Sequence, residues 1–281
     1  MRAVVLNAAG EPEPAEVAEP AGEDAVRVLA TGLCGSDVEK IGHAPAGTVL
    51  GHEVVGETGD GRRVVLVHHL PCGECERCLA GHESTCDEFA AATIEPGGFA
   101  ERAVARAGFV ELPGSVDDVS GSYAEPLACV LRGAERVPRG DVLVLGGGFV
   151  GRLFEAVLRR RGDTVYVHDR DPARSGPETP GLVSAVVACA PGAAMDALAA
   201  VEPGGSILFF ADAGPLDAAD VYRRELTIAG SRSATPRHLA EAVALLPELD
   251  VPEALVLPLE RFAEGLAAYR NREALKVVFR P

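Results

Sequence analysis

Short apolar runs broken by Gly, Pro and acidic residues fill the first third of the chain, the pattern of strands and turns rather than long helices. Ala3-Val4-Val5-Leu6 and Ala25-Val26-Arg27-Val28-Leu29 have strand length, and the acidic, Pro-rich stretch between them predicts a loop or an edge. Residues 62 to 70, Arg-Arg-Val-Val-Leu-Val-His-His-Leu, predict another strand, which leads into a cysteine-rich segment. A helix is expected after Leu112-Pro113. In that region Glu125 stands before Pro126 at a natural break, because the residue preceding proline is pushed out of helical geometry. From residue 141 strands and helices alternate. Asp141 to Gly146 has the composition of a strand buried on both faces. A helical stretch, 152 to 161, and a second strand, Thr164 to His168, bring the chain to Asp169. A Pro/Gly/Ser-rich link, 171 to 181, precedes the buried run Ala185 to Cys189, a helix near 193 to 201, the turn Pro203-Gly204-Gly205 and the strand Ser206 to Phe210. The remainder predicts a strand at Leu226 to Ile228, helices over 236–246 and 260–270, and a closing strand from Lys276. No internal repeat or low-complexity tail interrupts this order.

At 281 residues the chain has room for two domains or one large one, and its 47% apolar and 24% charged content is ordinary for a globular protein. The formal net charge of −16 argues against a nucleic-acid partner, since phosphate binding needs clustered Lys and Arg. Residues 1 to 6 do not resemble a signal peptide, and no apolar run approaches membrane-spanning length. Seven cysteines, five of them in metal-ligand spacings, suggest a reducing cytoplasm rather than a disulfide framework. Cys129 and Cys189 read as core residues.

Cys72, Cys75, Cys78 and Cys86 follow C-x2-C-x2-C-x7-C, four thiolates on one short loop and enough for a closed tetrahedral zinc. A site with every position filled is structural. Iron–sulfur proteins space their cysteines differently. A nucleic-acid-binding zinc ribbon would carry a basic surface, whereas this lobe holds Glu74, Glu76, Glu83, Asp87 and Glu88. With the metal saturated by sulfur, His68, His69 and His82 read as packing or surface residues. Upstream, Gly32-Leu33-Cys34-Gly35-Ser36-Asp37 and Gly51-His52-Glu53 set a thiolate, an imidazole and a carboxylate within reach of one another. A lone cysteine is often a small buried hydrophobe. Its flanking glycines and the nearby Gly-His-Glu favour a zinc ligand, in a site whose fourth position stays open.

Gly146-Gly147-Gly148-Phe149-Val150-Gly151 lies between a strand and a helix, the context in which G-x-G-x-x-G binds a dinucleotide. Gly146 permits the turn, Gly148 lets the pyrophosphate approach, and Gly151 lets helix and strand pack. Phe149 and Val150 open a helix whose N-terminus faces the phosphates. Asp169 is placed to accept from the adenosine ribose 2′-OH, which favours NAD. Arg170 and Arg174 are what a 2′-phosphate would use, which keeps NADP as the alternative.

These motifs in this order resemble the zinc-dependent medium-chain dehydrogenases, nearer the sorbitol, threonine and glucose dehydrogenase branch than liver-type alcohol dehydrogenase. Gly98-Phe99-Ala100-Glu101, Glu125-Pro126-Leu127 and the closing Lys276-Val277-Val278 add to the likeness, which covers nearly the whole length. The resemblance implies an α/β fold: a GroES-like β-rich catalytic domain, residues 1–126 and 247–281 with a structural zinc lobe at 70–88, plus a Rossmann domain, residues 127–246. It implies catalytic zinc on Cys34 and His52, with Glu53 and Glu125 as the carboxylates of the polyol branch. Ser36 would begin a proton relay through the nicotinamide ribose. A homo-oligomer, dimer or tetramer, is implied as well.

Two departures stand out. Where many members end the relay in a histidine, this chain has Glu39, as sugar dehydrogenases of the glucose type do, and His43 sits nearby in a shortened loop. Between the Asp169 and Ala185 strands the chain also lacks most of a helix, strand and helix. Its parallel sheet should therefore end at the Asp169 strand, with a reduced adenine wall and weaker cofactor binding than is usual. The implied reaction is zinc-assisted oxidation of a secondary alcohol to a ketone, with hydride passing to a nicotinamide held near 211–214 and 230–233. The substrate class suggested is a polyol, sugar, cyclitol or amino alcohol. An NADPH-dependent biosynthetic aldehyde or ketone reductase and a non-catalytic dehydrogenase-like scaffold are the rivals.

Overall fold

The computed structural model describes residues 1–89 and 93–281. The chain forms two compact units: Met1–Ala128 with Ala234–Glu248 and Pro252–Pro281, and Cys129–Ser233 with Leu249–Val251. The first unit begins with β1 (Arg2–Leu6), β2 (Pro12–Glu16), β3 (Ala25–Gly32), α1 (Gly35–Lys40), β4 (Glu53–Thr58), β5 (Arg63–Leu66) and α2 (Glu76–Leu79). It continues through β6 (Ile94–Glu95), β7 (Arg102–Ala105), β8 (Phe109–Glu111), α3 (Asp118–Gly121) and the start of α4 (Ala124–Ala134), whose residues from Cys129 on belong to the second unit. The second unit contains β9 (Asp141–Leu145), α5 (Phe149–Arg161), β10 (Thr164–His168), β11 (Val183–Ala188), α6 (Ala194–Ala200), β12 (Val201–Phe209), α7 (Ala218–Arg223) and β13 (Thr227–Gly230). The chain then returns to the first unit with α8 (Pro236–Leu245), β14 (Leu255–Pro258), α9 (Phe262–Arg270) and β15 (Val277–Arg280).

In the first unit a mostly antiparallel sheet runs β14-β15-β3-β4-β5-β8, with β7 also on β3 and β6 on β7, and β14 and β15 pair in parallel. The Pro-rich stretch after β1 forms β2, an edge strand paired with β1, so its prolines need no ladder partner on the open side. Packing between β1, α9 and β15 uses three phenylalanines. Phe99, Phe262 and Phe279 meet with ring centroids 4.8 to 5.7 Å apart, contacts worth about 0.5–1.5 kcal/mol each beyond their buried area. They hold β15, and with it Lys276, against β3.

The second unit is a parallel sheet in the order β10-β9-β11-β12-β13. This is a doubly wound arrangement whose sheet stops at the Asp169 strand, as the short link leads one to expect. The outer edge of β10 is nonetheless not bare. Arg159 Nη2 donates to Val165 O at 3.2 Å, Gly176 N to Val167 O at 2.8 Å, and Ser175 Oγ accepts from Asp169 N at 2.9 Å.

Three local expectations change. Glu125 is the second residue of α4 and not at a break: Pro126 lies in the first turn, where its missing N–H has no intrahelical partner to lose. Strand β5 ends at Leu66, so His68 and His69 lie beyond it. The Pro203-Gly204-Gly205 turn is accommodated within β12, whose pairing with β11 jumps from Val201 to Ser206.

Candidate active site

The four cysteines of the lobe surround α2. Cys72 Sγ lies 3.9 Å from Cys78 Sγ and 3.5 Å from Cys86 Sγ, and all four sulfurs fall within 4.8 Å of one another. Zn–S bonds of about 2.3 Å in a tetrahedron put sulfurs about 3.8 Å apart, so the set fits a closed zinc site. Backbone N–H groups of Glu74 and then Cys75 point at Cys72 and lower its thiol pKa to about 7. His82, by contrast, is exposed.

A second convergence lies where α1 and β4 begin. Cys34 Sγ, a ring nitrogen of His52 and a carboxylate oxygen of Glu53 also lie within 4.8 Å of one another. Asp37, in the first turn of α1 and 1% exposed, organises them. It accepts from the backbone N–H of Cys34 and of Gly51, each at 3.2 Å, and sits 3.1 Å from His52 Nδ1. Burial opposes ionisation of Asp37, but the His52 ring and the two N–H donors outweigh it and hold the carboxyl below its usual range. Burial likewise opposes a charged His52, yet Asp37 and then Cys34 pull the ring's pKa well above the ordinary value. Because Asp37 occupies Nδ1, Nε2 is left as the ligand atom, an imidazole–carboxylate arrangement common behind metals. A soft thiolate, an oriented imidazole and a carboxylate together suit zinc.

Glu53, 1% exposed, is also tied elsewhere: buried Lys276 donates to its Oε2 and, at 3.2 Å, to Leu33 O. Ser36 Oγ donates to Cys34 Sγ at 3.4 Å, which places a half-buried hydroxyl beside the ligand sulfur. Glu125 is not among the three atoms gathered with Cys34; its Oε1 lies 3.4 Å from His69 Nδ1. Glu39 and His43 are exposed.

The histidines expected to be packing or surface residues adjoin this cluster. His68 stacks on His52 with ring centroids 4.5 Å apart and planes 26° from parallel, and His69 follows at 4.2 Å. Burial, followed by the neighbouring His52, His69 and Lys40, pushes the His68 pKa far below its usual value. Two adjacent histidines closing a strand just before the lobe were the available signal, but nothing local says which way they turn.

In the second unit the glycine motif joins β9 to α5 as its spacing requires. Gly146 has φ +107°, and a Cβ on Gly151 would stand 1.8 Å from Gly146 O. A Cβ on Gly148 would meet nothing within 4 Å, so backbone there is open to a ligand. Phe149 is buried and Val150 half-buried, and the first turn of α5 carries no acidic side chain to repel phosphate. Asp169 stands beside this loop, its Oδ2 accepting from Gly147 N at 2.8 Å and its Oδ1 from Asp171 N at 2.9 Å. A carboxylate has further lone pairs for a ribose hydroxyl. Arg170 is exposed, while Arg174 Nε leans 3.5 Å from Asp171 and its carbonyl accepts from Arg152 at 2.6 Å. This donor set and open turn fit a dinucleotide. Cys129 and Cys189 are half-buried, and burial raises the Cys189 thiol pKa.

The model of the alcohol dehydrogenase GroES-like domain matches residues 20–114. D-Altritol 5-dehydrogenase of Agrobacterium fabrum is 34% identical over 276 aligned residues, covering 81% of each chain. The chain belongs to the zinc-dependent medium-chain dehydrogenase/reductase family. As a member of that family it is an NAD(P)-dependent alcohol dehydrogenase, an oxidoreductase of secondary alcohols. L-Galactonate-5-dehydrogenase of Escherichia coli is 26% identical across 91% of each chain. A Sinorhizobium meliloti structure described as a zinc-binding dehydrogenase bound to NADP superposes with a TM-score of 0.84 at 27% identity, over 100% of this chain and 99% of that one. Among the described residues no helix is long and apolar enough to cross a membrane.

Proposed function

We propose that this dehydrogenase interconverts a secondary carbinol of a polyol, sugar, cyclitol or amino alcohol and the corresponding ketone, with NAD as the preferred cofactor. The observation that carries the reading is the convergence of Cys34, His52 and Glu53 around a point that a divalent ion would fill. Cys34 and His52 would hold the catalytic zinc with a carboxylate of Glu53 or Glu125, and the four lobe cysteines would hold the structural one. The glycine loop and Asp169 would hold the dinucleotide. Zinc, when bound, supplies Lewis acidity toward a hydroxyl oxygen, and the nicotinamide supplies a hydride acceptor.

The chain's own groups do the rest. Asp37 fixes the His52 tautomer and ring orientation. Ser36, beside Cys34, takes the carbinol proton and passes it outward. Lys276 limits how far Glu53 can swing. Support for a hydroxyl-rich substrate comes from the carboxylates around the metal position and from the polyol and sugar-acid names of the relatives.

A second reading, an NADPH-dependent aldehyde or ketone reductase, is favoured by Arg170 next to Asp169 and by the NADP in the Sinorhizobium structure. A panel of polyols, cyclitols and simple secondary alcohols, assayed with NAD and with NADP, decides between them. Polyol-dependent NADH formation is expected. Turnover confined to NADPH and simple carbonyls would replace the first reading by the second.

A further inference from the structure

Lysine is nearly absent from this chain. Of its 26 lysines and arginines only two are lysines, Lys40 and Lys276. Lys276 is buried against Glu53. Lys40 is exposed in the last turn of α1, and its ammonium makes no hydrogen bond or ion pair among the described residues. It follows Ser36 by four residues and Asp37 by three, the spacings that set side chains on one face of a helix. Ser36 Oγ touches Cys34 Sγ and Asp37 Oδ1 touches His52 Nδ1, so this is the face that α1 turns to the metal position. Val38, on the other side, packs on the apolar core, and Glu39 is turned about 100° round the helix from Lys40. Lys40 is also one of the charges that bear on His68, the ring stacked on His52. A cation in the last turn suits the helix dipole as well, but arginine, which this chain uses for every other surface cation, would serve that equally. A compact ammonium on a flexible four-carbon stem, with no partner of its own, suits a ligand that brings one negative charge.

We propose that Lys40 is a specificity-determining residue that pairs with a carboxylate of the substrate, so that the alcohol oxidised belongs to a polyhydroxy acid of the aldonate type and not to a neutral polyol. Side chains four apart on a helix have Cβ atoms about 5–6 Å apart, and the lysine stem adds to that reach. The carboxylate therefore sits several carbons from the carbinol whose proton Ser36 takes. The inference rests on the hydroxyl-rich substrate class and the place of Ser36 proposed above, and narrows that class. One ammonium matches the single charge of a carboxylate, whereas a phosphate ester, with close to two charges, would keep an excess unpaired. A neutral hydroxymethyl group in the same place gains no ion pair, which is the source of the discrimination.

The test uses the zinc-loaded enzyme with NAD or NADP and a set of five- and six-carbon aldonates. Beside them stand the alditols that carry a hydroxymethyl group in place of the carboxylate, and the matching alditol phosphates. Wild type should prefer an aldonate to its alditol. Lys40→Gln should lower kcat/KM for the aldonate about 10- to 30-fold, chiefly through KM, and change that for the alditol by less than about 3-fold. Lys40→Arg, which keeps the charge, should retain most of the preference. Raised ionic strength should erode the preference in wild type and leave Lys40→Gln unaffected. Equal loss on aldonate and alditol, or no loss on either, overturns the assignment and returns Lys40 to the surface. An alditol phosphate preferred to the aldonate overturns the carboxylate as the partner. A wild type that prefers alditols to aldonates overturns the assignment alone and keeps the polyol reading. One that turns over simple secondary alcohols but no hydroxyl-rich substrate overturns the assignment together with that reading.

Discussion

The two sulfur-containing clusters of the first unit are built on opposite plans. In the lobe, every ligand comes from one stretch, Cys72 to Cys86, and the backbone N–H groups that steady Cys72 belong to Glu74 and Cys75 of that stretch. The Cys34 cluster draws its ligands from the start of α1 and the start of β4, and its orienting groups from still further away. Asp37 links the two segments, while Lys276 arrives from the far end of the chain. A closed site needs only its own ligands. A site with a position left for substrate must be held from outside, because no fourth protein ligand locks it.

Variants can break this contrast. The largest effect is expected for Cys34→Ser or His52→Ala: turnover falls to background and bound zinc falls from two ions to one per chain, with the lobe and the fold retained. Substantial residual turnover in either variant counts against the metal's assigned place. Next comes Lys276→Ala, which leaves the Glu53 carboxylate buried without its counter-charge and should destabilise the protein by about 3–5 kcal/mol in chemical denaturation. Adding Glu53→Gln should restore much of that loss, and a double variant no better than the single one would show that the ion pair is not the cause. The smallest effect belongs to Asp37→Asn. Zinc at the Cys34 cluster should be held about 10- to 100-fold less tightly in a chelator competition, while release from the lobe is unchanged. Equal loosening of both metals would mean that Asp37 supports the unit generally and not the ligand His52.

Much of this could be seen before any coordinates. The run 141 to 146, the glycines and Asp169 mark out β9, α5 and β10, because each feature acts over a few residues. The brevity of the link after Asp169 foretold a sheet ending at β10. What stayed hidden was long-range or directional. Lys276 read as the start of a strand, and nothing near it in sequence announces a buried ion pair with Glu53, 223 residues away. Pro126 suggested a break, since the rule about residues before proline does not say where in a helix the proline falls; in the first turn it is harmless. His68 and His69 looked like filler because the cysteines seemed to exhaust the metal chemistry nearby, and a stacking direction has no sequence signature.

The finish given to β10 has a consequence of its own. A strand at the edge of a sheet presents a row of backbone groups on which another extended chain can pair. Here a guanidinium from α5, a serine hydroxyl and a glycine amide from the replacement link already occupy positions along that row. An incoming strand would have to evict them one by one. The abbreviation of this nucleotide fold thus covers part of the margin that it leaves.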